Sequence, residues 1–155
     1  MKSIFIWLFL LIFIAFGALY ILSSESKKEK VIKQEVTAIN YVKINDTIIE
    51  VDIASSDVER ARGLSGRVSL GANSGMLFVF DGPGKNMFWM KDMNFPIDII
   101  WLDENKKIIY IKENLSPKTY PEVFGPEVPS MYVLEVNSNF TKKYNIKIGD
   151  IANFF

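Results

Sequence analysis

Between Met87 and Asp98 the chain places one Trp, two Phe, three Met and two carboxylates in twelve residues, and three kinds of chemistry fit that composition. Asp92 and Asp98 are six positions apart. That is enough strand and turn to set two carboxyls at the separation glycoside hydrolases use for a general acid and its partner. Trp89, with Trp101 further along, offers aromatic faces for a sugar ring, and Asp92, Asn94 and Asp98 would accept its hydroxyl protons. Met87, Met90 and Met93 recur every third residue, a set of thioethers of the kind that holds Cu(I). Positions three apart in a strand point to opposite faces, so a copper site would need a bend near Asn94.

Each reading has a plainer competitor. Aromatic and Met side chains fill the core of a small β domain, where each aromatic buries roughly 150–250 Å². Arg62 or Arg67 would neutralise Asp98 in a structural ion pair. On balance the sequence favours a non-enzymatic module with a ligand- or partner-binding surface. Its candidate residues are Trp89, Met90, Lys91, Asp92, Asp98, Arg62 and Tyr120, beside the Pro-rich stretch around Tyr120–Phe124. The alternative is a hydrolase of envelope glycans working through Asp92 and Asp98. No catalytic residue, metal ligand or cofactor is assigned.

Composition narrows the field further. The 155 residues include no His and no Cys. That removes Ser-His-Asp and Cys-His catalysis, thiolate metal sites, Fe–S clusters and disulfides. Eighteen basic residues balance 18 acidic ones, so no global field draws nucleic acid, and no nucleic-acid partner is expected. Gly63-Leu64-Ser65-Gly66 lacks the spacing and the Lys of a phosphate-binding loop.

The elements that must position these residues read as β structure. Val36–Ile44 and Thr47–Ala54 flank the turn pair Asn45-Asp46, and Ile49, Val51 and Ile53 alternate with Glu50 and Asp52 as in a half-buried strand. Ser56 and Glu59 form a capping box, which predicts a short helix to about Gly63 with Val58 and Ala61 inward. Strands are predicted over Gly75–Phe80, Met87–Lys91, Ile97–Leu102 and Lys107–Lys112. Asp81-Gly82-Pro83-Gly84 and Asp103–Lys106 supply the turns. Four Pro in Glu113–Ser130 exclude helix and central strand, which makes this segment an ordered loop or flap. Met131–Asn137 reads as a strand with Tyr132, Leu134 and Val136 on one face, followed by a helical turn at Asn139–Tyr144 that Asn145 stops. Gly149-Asp150 turns the chain into a closing strand, Ile151–Phe155.

The amino-terminal end is different. Ile4 to Leu22 is 19 residues without charge or Pro, about 28 Å as a helix and close to the hydrocarbon thickness of a bilayer. Residues 1–22 are therefore expected to be a transmembrane anchor, with a cleaved signal peptide as the competitor. Residues 23–35, rich in Ser, Lys and Glu, form a juxtamembrane linker whose lysines could touch anionic lipid. Lys27, Lys28, Lys30 and Lys33 outnumber Lys2, which by charge alone favours a cytoplasmic carboxy-terminal side. Residues 36–155 form the domain and carry 13 basic against 15 acidic residues.

A set of short motifs in fixed order resembles one family. They are Arg60-Ala61-Arg62-Gly63-Leu64-Ser65-Gly66-Arg67, Gly75–Phe80, Phe88-Trp89-Met90-Lys91, Phe95–Ile100, Tyr132-Val133-Leu134-Glu135-Val136 and Ile146-Lys147-Ile148-Gly149-Asp150. Together they resemble the bacterial and archaeal domain-of-unknown-function 192 family over about Val36 to Phe155. The resemblance implies a compact, mostly β domain, a small jelly-roll-like sandwich or barrel with one or two short helices. Such a domain often follows a signal or membrane segment, and no reaction is implied. Ser65, Asp92-Met93 and Asn139 depart from the family's usual Met, Asn-Thr and Gly. The family's secretory tendency places the domain outside the cytoplasm, against the lysine count.

Overall fold

The structure, a computed structural model of the chain, describes residues 16–28, 30 and 39–155. The chain divides into two units, Met1–Thr37 and Ala38–Phe155. In the first, residues 16–28 are helical, and Phe16, Leu19, Tyr20, Ile21 and Leu22 are exposed. Residues 1–15 of the predicted anchor, 29 and 31–35 of the linker, and 36–38 at the start of the predicted domain and its first strand lie outside the described residues. Among the described residues no helix is long and apolar enough to cross a membrane.

The second unit is mostly β. Its strands are β1 (Tyr41–Ile44), β2 (Thr47–Ala54), β3 (Ser74–Gly84), β4 (Phe88–Trp89), β5 (Ile97–Leu102), β6 (Ile108–Leu115), β7 (Val123–Phe124), β8 (Ser130–Asn137) and β9 (Ala152–Phe154). Two short helices, α1 (Asp57–Arg62) and α2 (Phe140–Lys143), interrupt them. Seven strands form one sheet in the order β6-β5-β8-β3-β2-β1-β9, and β4 pairs only with β7. Of the expected sandwich or barrel the barrel-like form is what the chain adopts: the seven strands curl within one sheet instead of forming two facing layers, and the β4–β7 ribbon stands apart from it. The sheet's ends approach each other. Lys107 bridges Ile151, the Ile108 amide donates to the Asp150 carbonyl at 2.8 Å, and the Ala152 amide donates to the Lys106 carbonyl at 2.9 Å. The right-handed twist of strands makes such curling natural, and joining the two edges at one end turns the sheet into a half-barrel.

One pair breaks the antiparallel pattern. β2 and β3 run parallel, Asp52 opposite Met76 and Ala54 opposite Phe78, because α1 and the loop behind it carry the chain back to the starting end. Ser56 accepts from the Glu59 amide, and the Glu59 carboxylate accepts from the Ser56 amide. That return bond, foremost, holds the Glu59 carboxyl below its ordinary range. The helix buries none of its residues. Val58 is 80% exposed, so the expected inward face is wrong. Leu64, just past Gly63, reaches the core instead.

Period-two alternation sorts the sheet into two faces. Val42, Ile44, Ile49, Leu77, Ile100, Leu134 and Val136 are buried on the concave side. Ala54, Met76, Phe78, Ile97, Ile99, Trp101 and Val133 are buried on the convex side, where Leu64, Met90 and Phe124 cover them. Both faces being covered explains why β5 is buried along its whole length.

Candidate functional site

The β4–β7 ribbon joins the sequence-predicted aromatic segment to the Pro-rich loop. Phe88 stands opposite Phe124, and Trp89 opposite Val123. Directly opposed residues share a face, so one pair must point inward and the next outward. Phe88 meets Phe78 and Trp101 edge-on at centroid distances of 4.8 and 6.0 Å, and Phe124 is buried. Trp89 and Val123 are left outside. Trp89 is 50% and Tyr120 45% exposed, their ring centroids 5.7 Å apart and their planes at 65°. Val123 on the ribbon and Met87 just before it are exposed as well. The ribbon therefore presents an aromatic corner whose reverse side is fixed in the core.

The other sequence-predicted residues divide. Lys91 and Asp92 are exposed beside the ribbon; the Lys91 carbonyl accepts from the Ser65 hydroxyl at 2.9 Å, and the Asp92 carbonyl from the Gly66 amide at 2.8 Å. Asp92 adopts φ 56°, a left-handed turn that Asp tolerates. Arg62 is exposed in the last turn of α1. Met90 is buried in the convex core and does not belong to the surface. Met87 lies at the surface and Met90 inside, so the three Met do not share a thioether site. Among the described residues no acidic cluster of metal-binding size occurs. Trp101 is fully buried, donating through Nε1 to the Asn86 carbonyl at 2.7 Å, and offers no stacking face.

Asp98 is also a correction. It has no exposed surface, and no Arg neutralises it. Its Oδ1 accepts from the amides of Asn114 (2.8 Å) and Asn139 (3.1 Å). Its Oδ2 accepts from the Thr141 amide (3.0 Å) and lies 2.7 Å from the Thr141 hydroxyl. Asn114 and Asn139 both adopt left-handed backbone angles, φ 56° and 64°, which Asn tolerates. Asp98 thus ties the end of β6 and the start of α2 to β5, and its acceptor sites are filled from within.

A second buried carboxylate was not singled out from sequence. Glu135 on β8 lies on the convex face, flanked by Met76 and Ile99. It is 4% exposed, and its Oε2 is buried without a hydrogen-bond partner among the described residues. Burial pushes its carboxyl up to about 8, with the Arg67 guanidinium pulling the other way. Arg67 is fixed by Asp52, Nη1 to Oδ2 at 2.7 Å, and by Asn94, whose side-chain amide donates to the Arg67 carbonyl at 2.9 Å. Asp52 and Glu135 both oppose Met76, so their Cα atoms are two strand spacings, about 10 Å, apart. Arg67 and Asp52 border a cavity of about 260 Å³ at the start of the β2–β3 pair. The available signal was a carboxylate between Val133 and Asn137 in the alternation of a strand whose neighbouring positions Val133, Leu134 and Val136 are apolar.

Comparison with known proteins agrees with this architecture. The family model of DUF192, described as an uncharacterised ACR, matches residues 40–154. A crystal structure of a protein of unknown function from Novosphingobium aromaticivorans is 28% identical, with a TM-score of 0.70, covering 74% of this chain and 84% of that one. A second, described as a candidate transcription regulator from Sinorhizobium meliloti, is 28% identical with a TM-score of 0.71, covering 76% and 94%. No curated protein matches.

Proposed function

We infer that this chain, which belongs to the DUF192 family, is a membrane-tethered, extracytoplasmic module that binds an envelope glycan without catalysing a reaction on it. The observation that carries the reading is the Trp89–Tyr120 corner. Two aromatic rings stay half exposed although the ribbon that carries Trp89 is docked through Phe88 and Phe124. Leaving a Trp and a Tyr in water forgoes burial worth about 2 kcal/mol each, and such rings are the usual platform for the apolar face of a sugar. Exposed Lys91 and Asp92 beside them supply a donor and an acceptor for hydroxyls. The tether rests on the 19 uncharged residues from Ile4 to Leu22.

The regulator description of the Sinorhizobium meliloti protein finds no support in charge, since 13 basic and 15 acidic residues in the domain make a poor phosphate-binding surface. The hydrolase alternative through Asp92 and Asp98 loses one member, because Asp98 has neither solvent access nor a free acceptor site.

Co-sedimentation of the full chain, in detergent without a sugar headgroup, with purified insoluble cell-wall glycan tests the binding. Trp89→Ala and Tyr120→Ala should each reduce the bound fraction at least about tenfold, the loss of roughly 1.4 kcal/mol of stacking. Undiminished binding by both variants refutes the site, and absence of binding by the wild type refutes the function. A topology reporter fused after Phe155 that is active only in the cytoplasm overturns the placement.

A further inference from the structure

We propose that the cavity at the start of the β2–β3 pair is a separate sugar-ring site, in which the Asp52–Arg67 pair reads a vicinal diol. The proposal rests on the glycan reading for the identity of the ligand; the cavity's own chemistry stands apart from the aromatic ribbon. At about 260 Å³ it is slightly below the range of drug-sized pockets, which suits one ring rather than a chain. Its lining is non-aromatic and mostly polar: Glu50, Asp52, Arg67 and Ser69 contribute beside the two aliphatic side chains Val51 and Leu70. Such a set offers hydrogen bonds of both senses to a polyhydroxylated ligand and little to an apolar one.

The pairing within it selects the diol. A guanidinium bonded to a carboxylate presents an N–H donor and an oxygen acceptor side by side in one plane. Two adjacent hydroxyls, one accepting and one donating, match that spacing. Arg67 uses Nη1 on Asp52, which leaves its other N–H groups for a ligand. The frame holding it is rigid: the Gly66 amide, the Ser65 hydroxyl and the Asn94 side chain bind loop 64–67 to residues 91–94. The buried Glu135 lies on the same face and acts on Arg67. Protonated, it puts no charge in competition with Asp52, so the guanidinium stays at the cavity wall. The Asn137 side-chain amide donates to the Gly71 carbonyl at 2.7 Å and fixes the opposite rim.

The test is site-resolved amide NMR on the isotopically labelled full chain, in a detergent without a sugar headgroup. Three probes are titrated to about 50 mM, a range that captures millimolar affinity: glucose, trans-1,2-cyclohexanediol and cyclohexanol. Glucose and the diol should produce saturable shifts within residues 50–52 and 67–75, and cyclohexanol none. Asp52→Asn and Arg67→Gln should each weaken those titrations at least about tenfold. Asp52 sits at the surface, so Asp52→Asn carries the test if Arg67→Gln unfolds. Absence of saturable shifts in these segments overturns the proposal, as does an equal response to cyclohexanol or unchanged binding by Asp52→Asn. Shifts confined to residues 87–89 and 120–123 with glucose would sink this site and leave the ribbon reading standing. Shifts confined to the cavity would do the reverse.

Discussion

Glu135→Gln isolates the cost of burying an acid with no partner. In the folded chain the carboxyl titrates near 8, against an ordinary 4.5. Below 4.5 both folded and unfolded chains hold the proton and the group contributes no pH dependence. Between 4.5 and 8 only the folded chain keeps it, so the unfolded state binds fewer protons and stability falls as pH rises. The slope reaches about 1.4 kcal/mol per pH unit, and the window sums to about 5 kcal/mol. Above 8 both states are ionised and the loss is complete. That total is large against the roughly 5–15 kcal/mol stability of a whole domain. Gln has the same shape and cannot ionise. Urea unfolding of the full chain and of Glu135→Gln, followed by Trp fluorescence from about pH 5 to about pH 9, gives a difference curve in which all other carboxylates cancel. Glu135→Gln should match the wild type at the acid end and exceed it by several kcal/mol at the alkaline end. Parallel curves across the window would mean that the Glu135 carboxyl does not gain its proton on folding.

Other substitutions test the frame. Asp98→Ala strands the amides of Asn114, Asn139 and Thr141, and should cost about 3–5 kcal/mol, read as a shift in urea midpoint; a loss below about 1 kcal/mol would mean that the end of β6 and α2 do not depend on it. Gly75→Ala places a methyl 2.7 Å from the Glu135 carbonyl oxygen across the β3–β8 pair, which is backbone and cannot swing aside. A loss of about 1–3 kcal/mol is expected in the same assay. Trp101→Phe removes the indole N–H from the Asn86 carbonyl and shrinks a fully buried ring, and should lower the thermal midpoint by several degrees, about 2 kcal/mol in a domain of this size.

The strands were legible wherever local pattern and tertiary demand agree. Thr47–Ala54 and Ile97–Leu102 form as read, because alternation in one and an unbroken apolar run in the other are direct consequences of facing one or two covered sides. Turn chemistry was legible in part: Asn45 and Asn145 take left-handed angles, φ 53° in each, whereas Asp81-Gly82-Pro83-Gly84, read as a turn, continues β3 to Gly84 past a register shift after Val79. Topology was not legible. Nothing local tells that Ala54 and Phe78 pair in parallel, or that β6 and β9 meet at the Lys107–Ile151 bridge, since register across distant strands is decided by which faces find cover. Helix α1 shows the same limit. Its cap is specified by two residues three apart, but its inward face depends on a core that Leu64 fills instead.

At the candidate site, Trp89 and Tyr120 were identified by type and meet through the β4–β7 pairing, whereas Asp98 and Glu135 show why residue type alone misleads. Both are carboxylates in apolar strands, and β5 and β8 are neighbours with Asp98 opposite Val136 and Ile99 opposite Glu135. Their side chains leave the sheet on opposite faces, and their surroundings divide just as sharply. On the concave face two left-handed Asn residues and the first turn of α2 aim three amides at Asp98, so its desolvation is offset and the residue is structural. On the convex face Met76 and Ile99 flank Glu135 with no donor to give. The nearest compensation is a guanidinium already committed to Asp52. An unsatisfied buried carboxyl costs several kcal/mol, a loss the fold could avoid with Leu at the same position. A residue that weakens the fold where an apolar one would strengthen it points to a requirement other than stability, and the groups it faces, Arg67 and through it Asp52, are those that wall the cavity. Binding chemistry is therefore to be sought on the convex face, at Arg67 and the aromatic ribbon, and not at the pair of Asp residues that the sequence first brings to notice.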